Sequence, residues 1–354
     1  MFLVKVGGSL TNSAVQSDLY LPGTITIDEG DSIIWSAAPG ADESHTVTFG
    51  TTGACGDVGK LGAASPASSY SGSGCVSSGM LWPAAAPTTA GPKTFALSFP
   101  KAGTYSYYCQ FHKPAMVGTV VVQPAGTAYP AGETAYVAKN DPALAQAEKS
   151  GLTALAAQTV TKTANPDGSS TYTMNAGSGD GKTYSLYRFG ADTLAIHAGD
   201  SVVWVQNDVA DYHTVTFLDN GKDVPFNLPD GYPNPQAVSR TAATSYSGQG
   251  FVNSGLLVQA SAPAAERTYR LTFPQPGTYS YECLIHDDAG MKGTIQVAAG
   301  QVPLQNAQQT LPGLPRTGGV PPIVLLGLGL LGVTCLGGGI RLARRSSRSE
   351  RSGE

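Results

Sequence analysis

The chain writes one pattern twice. In the first copy Cys109, His112 and Met116 follow a Gly103-Thr-Tyr-Ser-Tyr run, and His45 stands far upstream at the head of His-Thr-Val-Thr-Phe. In the second copy Cys283, His286 and Met291 follow Gly277-Thr-Tyr-Ser-Tyr, and His213 heads another His-Thr-Val-Thr-Phe. Thr24–Trp35 also aligns without a gap to Thr193–Trp204, each with two alternating apolar runs around a Gly-Asp turn. Phe95-Ala-Leu-Ser-Phe and Tyr269-Arg-Leu-Thr-Phe then precede equivalent turns, and runs starting at Gly118 and Gly293 close each copy. Short β-branched and aromatic runs bounded by Gly, Pro and Asp read as the strands of a sandwich. The fold expected is all-β, with one unit built twice.

The repeated polar residues carry chemistry. One thiolate, two imidazoles and one thioether form a soft set of few ligands, suited to copper cycling between its two oxidation states. Tetrahedral zinc fits less well because a thioether is a poor zinc ligand. The expected metal ligands are His45, Cys109, His112 and Met116, then His213, Cys283, His286 and Met291. Met80 and Met174 have no such context and read as packing or loop residues. His197 aligns with Asp28 at a strand end and reads as an exposed turn residue.

These residues resemble those of the cupredoxins, the small blue copper proteins of the plastocyanin and azurin type. The resemblance covers 1–123 and 170–298 and implies two Greek-key β-sandwiches, each with a type 1 copper at one end. It implies that His45 and His213 are ligands carried on a strand, Cys109 and Cys283 the thiolates, and Met116 and Met291 the axial thioethers. His112 and His286 would be the ligands at the solvent edge. The second loop spaces its ligands Cys-x2-His-x4-Met as plastocyanin does, whereas the first is one residue shorter and contains Pro114. Two inequivalent coppers are expected.

Two such domains in one chain also resemble copper nitrite reductases and two-domain multicopper oxidases. Their second kind of copper site needs several more histidines, and this chain has 5 in all. With four assigned, only His197 is left. Cys109 lies between Tyr108 and Gln110, and Cys283 between Glu282 and Leu284, so neither has the adjacent His that relays electrons in those enzymes. The expectation is therefore a non-enzymatic carrier. It would pass single electrons to a transient redox protein partner through the exposed His edge. The alternatives are an extracellular protein that sequesters copper and an adhesion protein that uses the fold for binding.

At 354 residues the chain has room for two domains and a tail. The formal charge is -4, and the five arginines after Thr317 outnumber the two glutamates there by three, leaving a formal -7 on 1–317. An acidic body without a basic stripe argues against nucleic acid as a partner. Cys55 and Cys75 share one Gly/Ser-rich insertion, where Cys75 aligns with Phe251 and Cys55 has no counterpart. They read as a local disulfide formed in an oxidising compartment, or else as two reduced buried thiols.

Residues 124–169 form a linker. Asp141 as N-cap and Pro142 at the first helical position predict a helix over about 142–158. Residues 299–317 are a spacer that ends in Leu314-Pro315-Arg316-Thr317-Gly318, and 318–354 hold an apolar run from Ile323 to Ile340 followed by arginines. The run is long enough for a transmembrane segment with a cytoplasmic basic end. The tail resembles a cell-wall sorting signal cut by sortase between Thr317 and Gly318, and a plain single-pass anchor is the alternative. Both place the two domains on the extracellular face of the envelope, membrane or cell wall anchored. The opening Met1-Phe-Leu-Val-Lys-Val is too short for a signal peptide and reads as a first strand.

Overall fold

In this computed structural model the two repeats build the same pair of sheets. The structure describes residues 1–8, 14–38, 43–50, 55, 64–83, 86, 90–228 and 233–300. In the first repeat one sheet runs Tyr20–Leu21, Phe2–Val6, Ser32–Ala37, Thr94–Ser98. The facing sheet runs Thr24–Asp28, Val117–Gln123, Gly103–Tyr108, Thr48–Phe49, Val76–Ser78, Ala64–Ser65. The second repeat copies this order with Tyr184–Phe189, Ser170–Gly179, Ser201–Asn207 and Thr268–Thr272 in one sheet. Thr193–His197, Lys292–Ala298, Gly277–Glu282, Thr216–Phe217 and Val252–Asn253 form the other. Thr161–Ala164 pairs antiparallel with the start of Ser170–Gly179.

Alternation explains the layers. In Ser32–Ala37 every second residue is buried, so Ile33 and Trp35 point into the sandwich. Trp35 meets Tyr107 edge-on at 5.4 Å, and its counterpart Trp204 meets Tyr281 at 5.3 Å. Phe49 with Phe99, and Phe217 with Phe273, complete the same aromatic cluster in each core. Burial of such rings is the main stabilising term in each sandwich.

One strand crosses between the repeats. Val15–Ser17 lies in the first repeat by sequence but pairs antiparallel with Tyr184–Phe189, extending the second repeat's sheet. Continuing the gapless alignment backwards makes Gln16 equivalent to Ser185, and these two residues face each other in the pairing. The flanking bonds are also equivalent: Asp18 N donates to Thr183 O at 3.1 Å and Tyr187 N to Ala14 O at 2.9 Å. The two repeats are thus joined about a local two-fold through corresponding edge strands.

The helix differs from expectation. It spans Glu133–Ala156, starts after Gly132 and carries Pro142 inside it, so Asp141 is not its N-cap. The reason is tertiary. Tyr136, Asn140, Ala147 and Gly151 form one buried stripe on both sides of the proline. Thr26 N donates to Tyr136 Oη at 3.0 Å and Asn140 Nδ2 to Leu21 O at 3.1 Å, fixing the first turns to the first repeat. Farther along, a Cβ at Gly151 would sit 2.3 Å from Val15 Cγ1, so the helix lies directly over the crossing strand.

Cys55 and Cys75 are joined in a disulfide. Among the described residues no helix is long and apolar enough to cross a membrane. The Leu314–Gly318 motif and the apolar run after it lie outside the described residues.

Candidate metal centres

Each copy brings its Cys and both His together. His45, Cys109 and His112 form one buried group, and His213, Cys283 and His286 another. In the first, His45 Nδ1 and His112 Nδ1 are 3.0 Å apart, with Cys109 Sγ 3.4 Å from His112 Nδ1 and 4.0 Å from His45 Nδ1. The second has the corresponding separations 3.1, 3.6 and 3.9 Å. Triangles of this size put a common centre about 2 Å from all three atoms, the length of a metal–nitrogen or metal–thiolate bond. Burial and donor softness both fit copper.

Backbone bonds fix the ligand loops. Cys109 N donates to Met116 O at 3.1 Å and Met116 N to His112 O at 2.9 Å. Cys283 N donates to Met291 O at 3.0 Å and Met291 N to His286 O at 3.0 Å, so the longer second loop closes the same way. Its extra residue is taken up in a turn where Gly290 N donates to Asp287 O at 3.0 Å. Met116 and Met291 are both fully buried.

The upstream histidines do not sit in regular strand. His45 makes a single bridge with Leu81, His213 one with Leu257, and the strands are only Thr48–Phe49 and Thr216–Phe217. The next residue explains this, because Thr46 N donates to Cys109 Sγ at 3.4 Å and Thr214 N to Cys283 Sγ at 3.3 Å. Thr46 Oγ1 accepts from Gln110 N, and Thr214 Oγ1 from Leu284 N, both at 2.8 Å. Space for each ring comes from a glycine in left-handed backbone. A Cβ at Gly7 (φ 66) would lie 2.3 Å from His45 Nε2, and at Gly177 (φ 79) 2.0 Å from His213 Nε2.

The loop histidines contradict the expected exposed edge. His112 is 0% exposed and His286 3% exposed, because each ring turns towards the other repeat. Glu43 and Asp211, each two residues before the upstream His of its repeat, meet them there. His112 Nε2 donates to Glu43 Oε1 at 3.0 Å, and His286 Nε2 lies 3.1 Å from Asp211 Oδ2 in an ion-pair contact too bent for a hydrogen bond. Glu43 is one methylene longer than Asp211, and its Oε1 also comes within 3.7 Å of His286 Nε2. Tyr187 donates to Glu43 Oε2 and stacks on His286. Asp208 Oδ2, 3.9 Å from His213 Nε2, is a further buried carboxylate of the second repeat.

The electrostatics follow from this crowding. Burial alone would raise the Cys109 and Cys283 thiols, but the neighbouring imidazoles outweigh it and hold both well below the ordinary thiol range. Burial would likewise raise Glu43, yet His112 and His286 hold it well below the usual carboxylate range. Burial pushes His213 down, and Asp208 with Cys283 bring it up to about 9. Asp18, buried nearby with no cation bonded to it, is pushed well up by desolvation. Sequence reading missed Glu43, Asp211, Asp208, Tyr187, Gly7 and Gly177. The visible signal was a carboxylate two places before each upstream His.

A comparison with known protein families agrees. Residues 10–123 and 173–298 match copper binding proteins of the plastocyanin/azurin family. The chain belongs to that family, and its two His-Cys-His sites, one per repeat, are consistent with two copper sites. Among similar solved structures, the amicyanin of Paracoccus versutus is 23% identical over 34% of this chain and 80% of its own, at a TM-score of 0.21. A mutant plastocyanin of fern is 21% identical over 36% of this chain and 99% of its own, at a TM-score of 0.22.

Proposed function

We propose that the chain is a cell-surface carrier of single electrons with two type 1 copper centres, and not an enzyme. The observation that carries this reading is the pair of buried soft-donor triads, each bonded to the backbone of its own ligand loop. Met116 and Met291 would add a thioether to each set, held by the loop bonds already described. Bound copper supplies one-electron chemistry by cycling between two oxidation states. The residues hold the donors still: Thr46 N and Thr214 N fix the thiolates, Gly7 and Gly177 leave room for the upstream rings, and the sandwich excludes water. The centres are inequivalent, because Glu43 approaches both loop histidines whereas Asp208 attends only His213.

Burial of His112 and His286 favours a second reading, storage of copper without exchange of electrons. Visible absorption and metal stoichiometry of the full chain loaded with Cu(II) test the centres themselves. An intense thiolate-to-copper band with two coppers per chain supports them, and copper bound without that band refutes them. Rapid reversible bleaching by an artificial donor then separates carrier from store. The domains are held at the extracellular envelope through Leu314–Gly318 and the apolar run after it, with sortase as the anchoring partner. Substituting Thr317→Ala releases no cleaved species if the motif is processed there.

A further inference from the structure

Resting on the two-centre reading, we propose that Glu43 joins the centres into one unit that exchanges electrons internally. Three observations carry it. The loop histidines are both buried, so neither ring edge is free to meet an outside partner. One oxygen atom, Glu43 Oε1, lies 3.0 Å from His112 Nε2 and 3.7 Å from His286 Nε2, making a continuous path from one triad through a carboxylate to the other. The equivalent Asp211 makes the 3.1 Å contact to its own His286 and lies within 4.8 Å of His112, so the carboxylate in close contact with both rings is that of Glu43.

A buried carboxylate is costly unless hydrogen-bond donors surround it. Glu43 Oε1 faces the Nε2 atoms of both loop histidines, and Tyr187 in the second repeat donates to its other oxygen. Residues of both repeats therefore fix its position. An external one-electron donor would reduce one centre. Bound copper would supply the one-electron chemistry, and His112, Glu43 and His286 would be the residues between the triads, one centre being oxidised as the other is reduced. No proton changes partner, because the His112 Nε2 proton stays on the ring that donates it to Glu43.

The test uses the full chain with Met291→Gln, since a changed axial ligand separates the second centre in potential and absorption. The protein is loaded with Cu(II), given less than one electron per chain by a photoexcited donor, and followed at both bands. The expected result is redistribution in a first-order phase whose rate does not depend on protein concentration. Glu43→Asp keeps the charge but shortens the arm to that of Asp211, and the phase is lost. Adding Asp211→Glu to it rebuilds the bridge from the other repeat, and the phase returns. Redistribution at the parent rate in Glu43→Asp, or a parent rate that scales with protein concentration, overturns the proposal. Absence of any thiolate-to-copper band in the unsubstituted chain overturns the carrier reading, and this proposal with it.

Discussion

Tyr187 lies flat on His286, ring centroids 3.8 Å apart and planes 20° from parallel. The same side chain donates to Glu43, so one phenol ties a ligand ring of its own repeat to a carboxylate of the other. Tyr187→Phe keeps the stack and strips the donor from a buried charge, which costs about 1.5–3 kcal/mol. Tyr187→Leu also removes the stack and adds about 0.5–1.5 kcal/mol. Urea denaturation of both variants measures the two steps.

Gly7 and Gly177 each combine positive φ with a ring packed where a Cβ would be. Gly177→Ala is expected to destabilise by at least the roughly 1 kcal/mol of a strained backbone and to displace His213. Metal titration should show weakened binding at the second centre with the first unchanged, and Gly7→Ala should show the reverse.

Each thiolate belongs to a separate triad. Cys109→Ser is expected to remove the first thiolate-to-copper band and leave one copper per chain bound through its thiolate. Cys283→Ser should do the same for the second centre. Loss of both bands from a single substitution would refute independent ligand sets.

Asp180 organises the turn that leads into the Tyr184–Phe189 strand. Its Oδ1 accepts from Lys182 N at 2.9 Å and Thr183 N at 2.7 Å, and its Oδ2 from Thr183 Oγ1 at 2.6 Å. Partial burial would raise this carboxyl, but the bonds from Thr183, Lys182 and Tyr184 prevail and hold it below the ordinary aspartate range. A depressed folded pKa gives stability that is full above the unfolded value of about 4 and lost as pH falls through the folded value. Asp180→Ala should therefore cost about 1 kcal/mol at neutral pH and less in acid. Thermal melts across pH 2–7 would show the two curves converging.

Both His-Cys-His triads were legible in the sequence because metal ligation demands the same residues at the same places in each copy. The sandwich strands were legible because half-buried strands such as Ser32–Ala37 alternate. Val15–Ser17 was not, since all three residues are buried and Val-Gln-Ser shows no alternation. The start of the helix was hidden behind Asp141-Pro142, a strong local start signal that buried Tyr136 and Asn140 override. Burial of His112 and His286 depends on how two repeats meet. A reading of one repeat alone leaves these rings at the solvent edge, and leaves Glu43 an ordinary surface acid.

The Cys55–Cys75 bridge closes a segment with a sequence separation of 20. Replacing both cysteines with serine is expected to lower stability by roughly 3 kcal/mol through the freed unfolded chain. Because the bridge lies outside both triads, copper stoichiometry should stay unchanged.

Gln16 facing Ser185 gives the seam the geometry of a symmetric homodimer, in which an edge strand pairs with its own counterpart about a two-fold. Unlike two identical subunits, the halves of one chain need not match across that axis. Here they do not, with glutamate at 43 and aspartate at 211, so the molecule has a direction that its backbone pairing lacks.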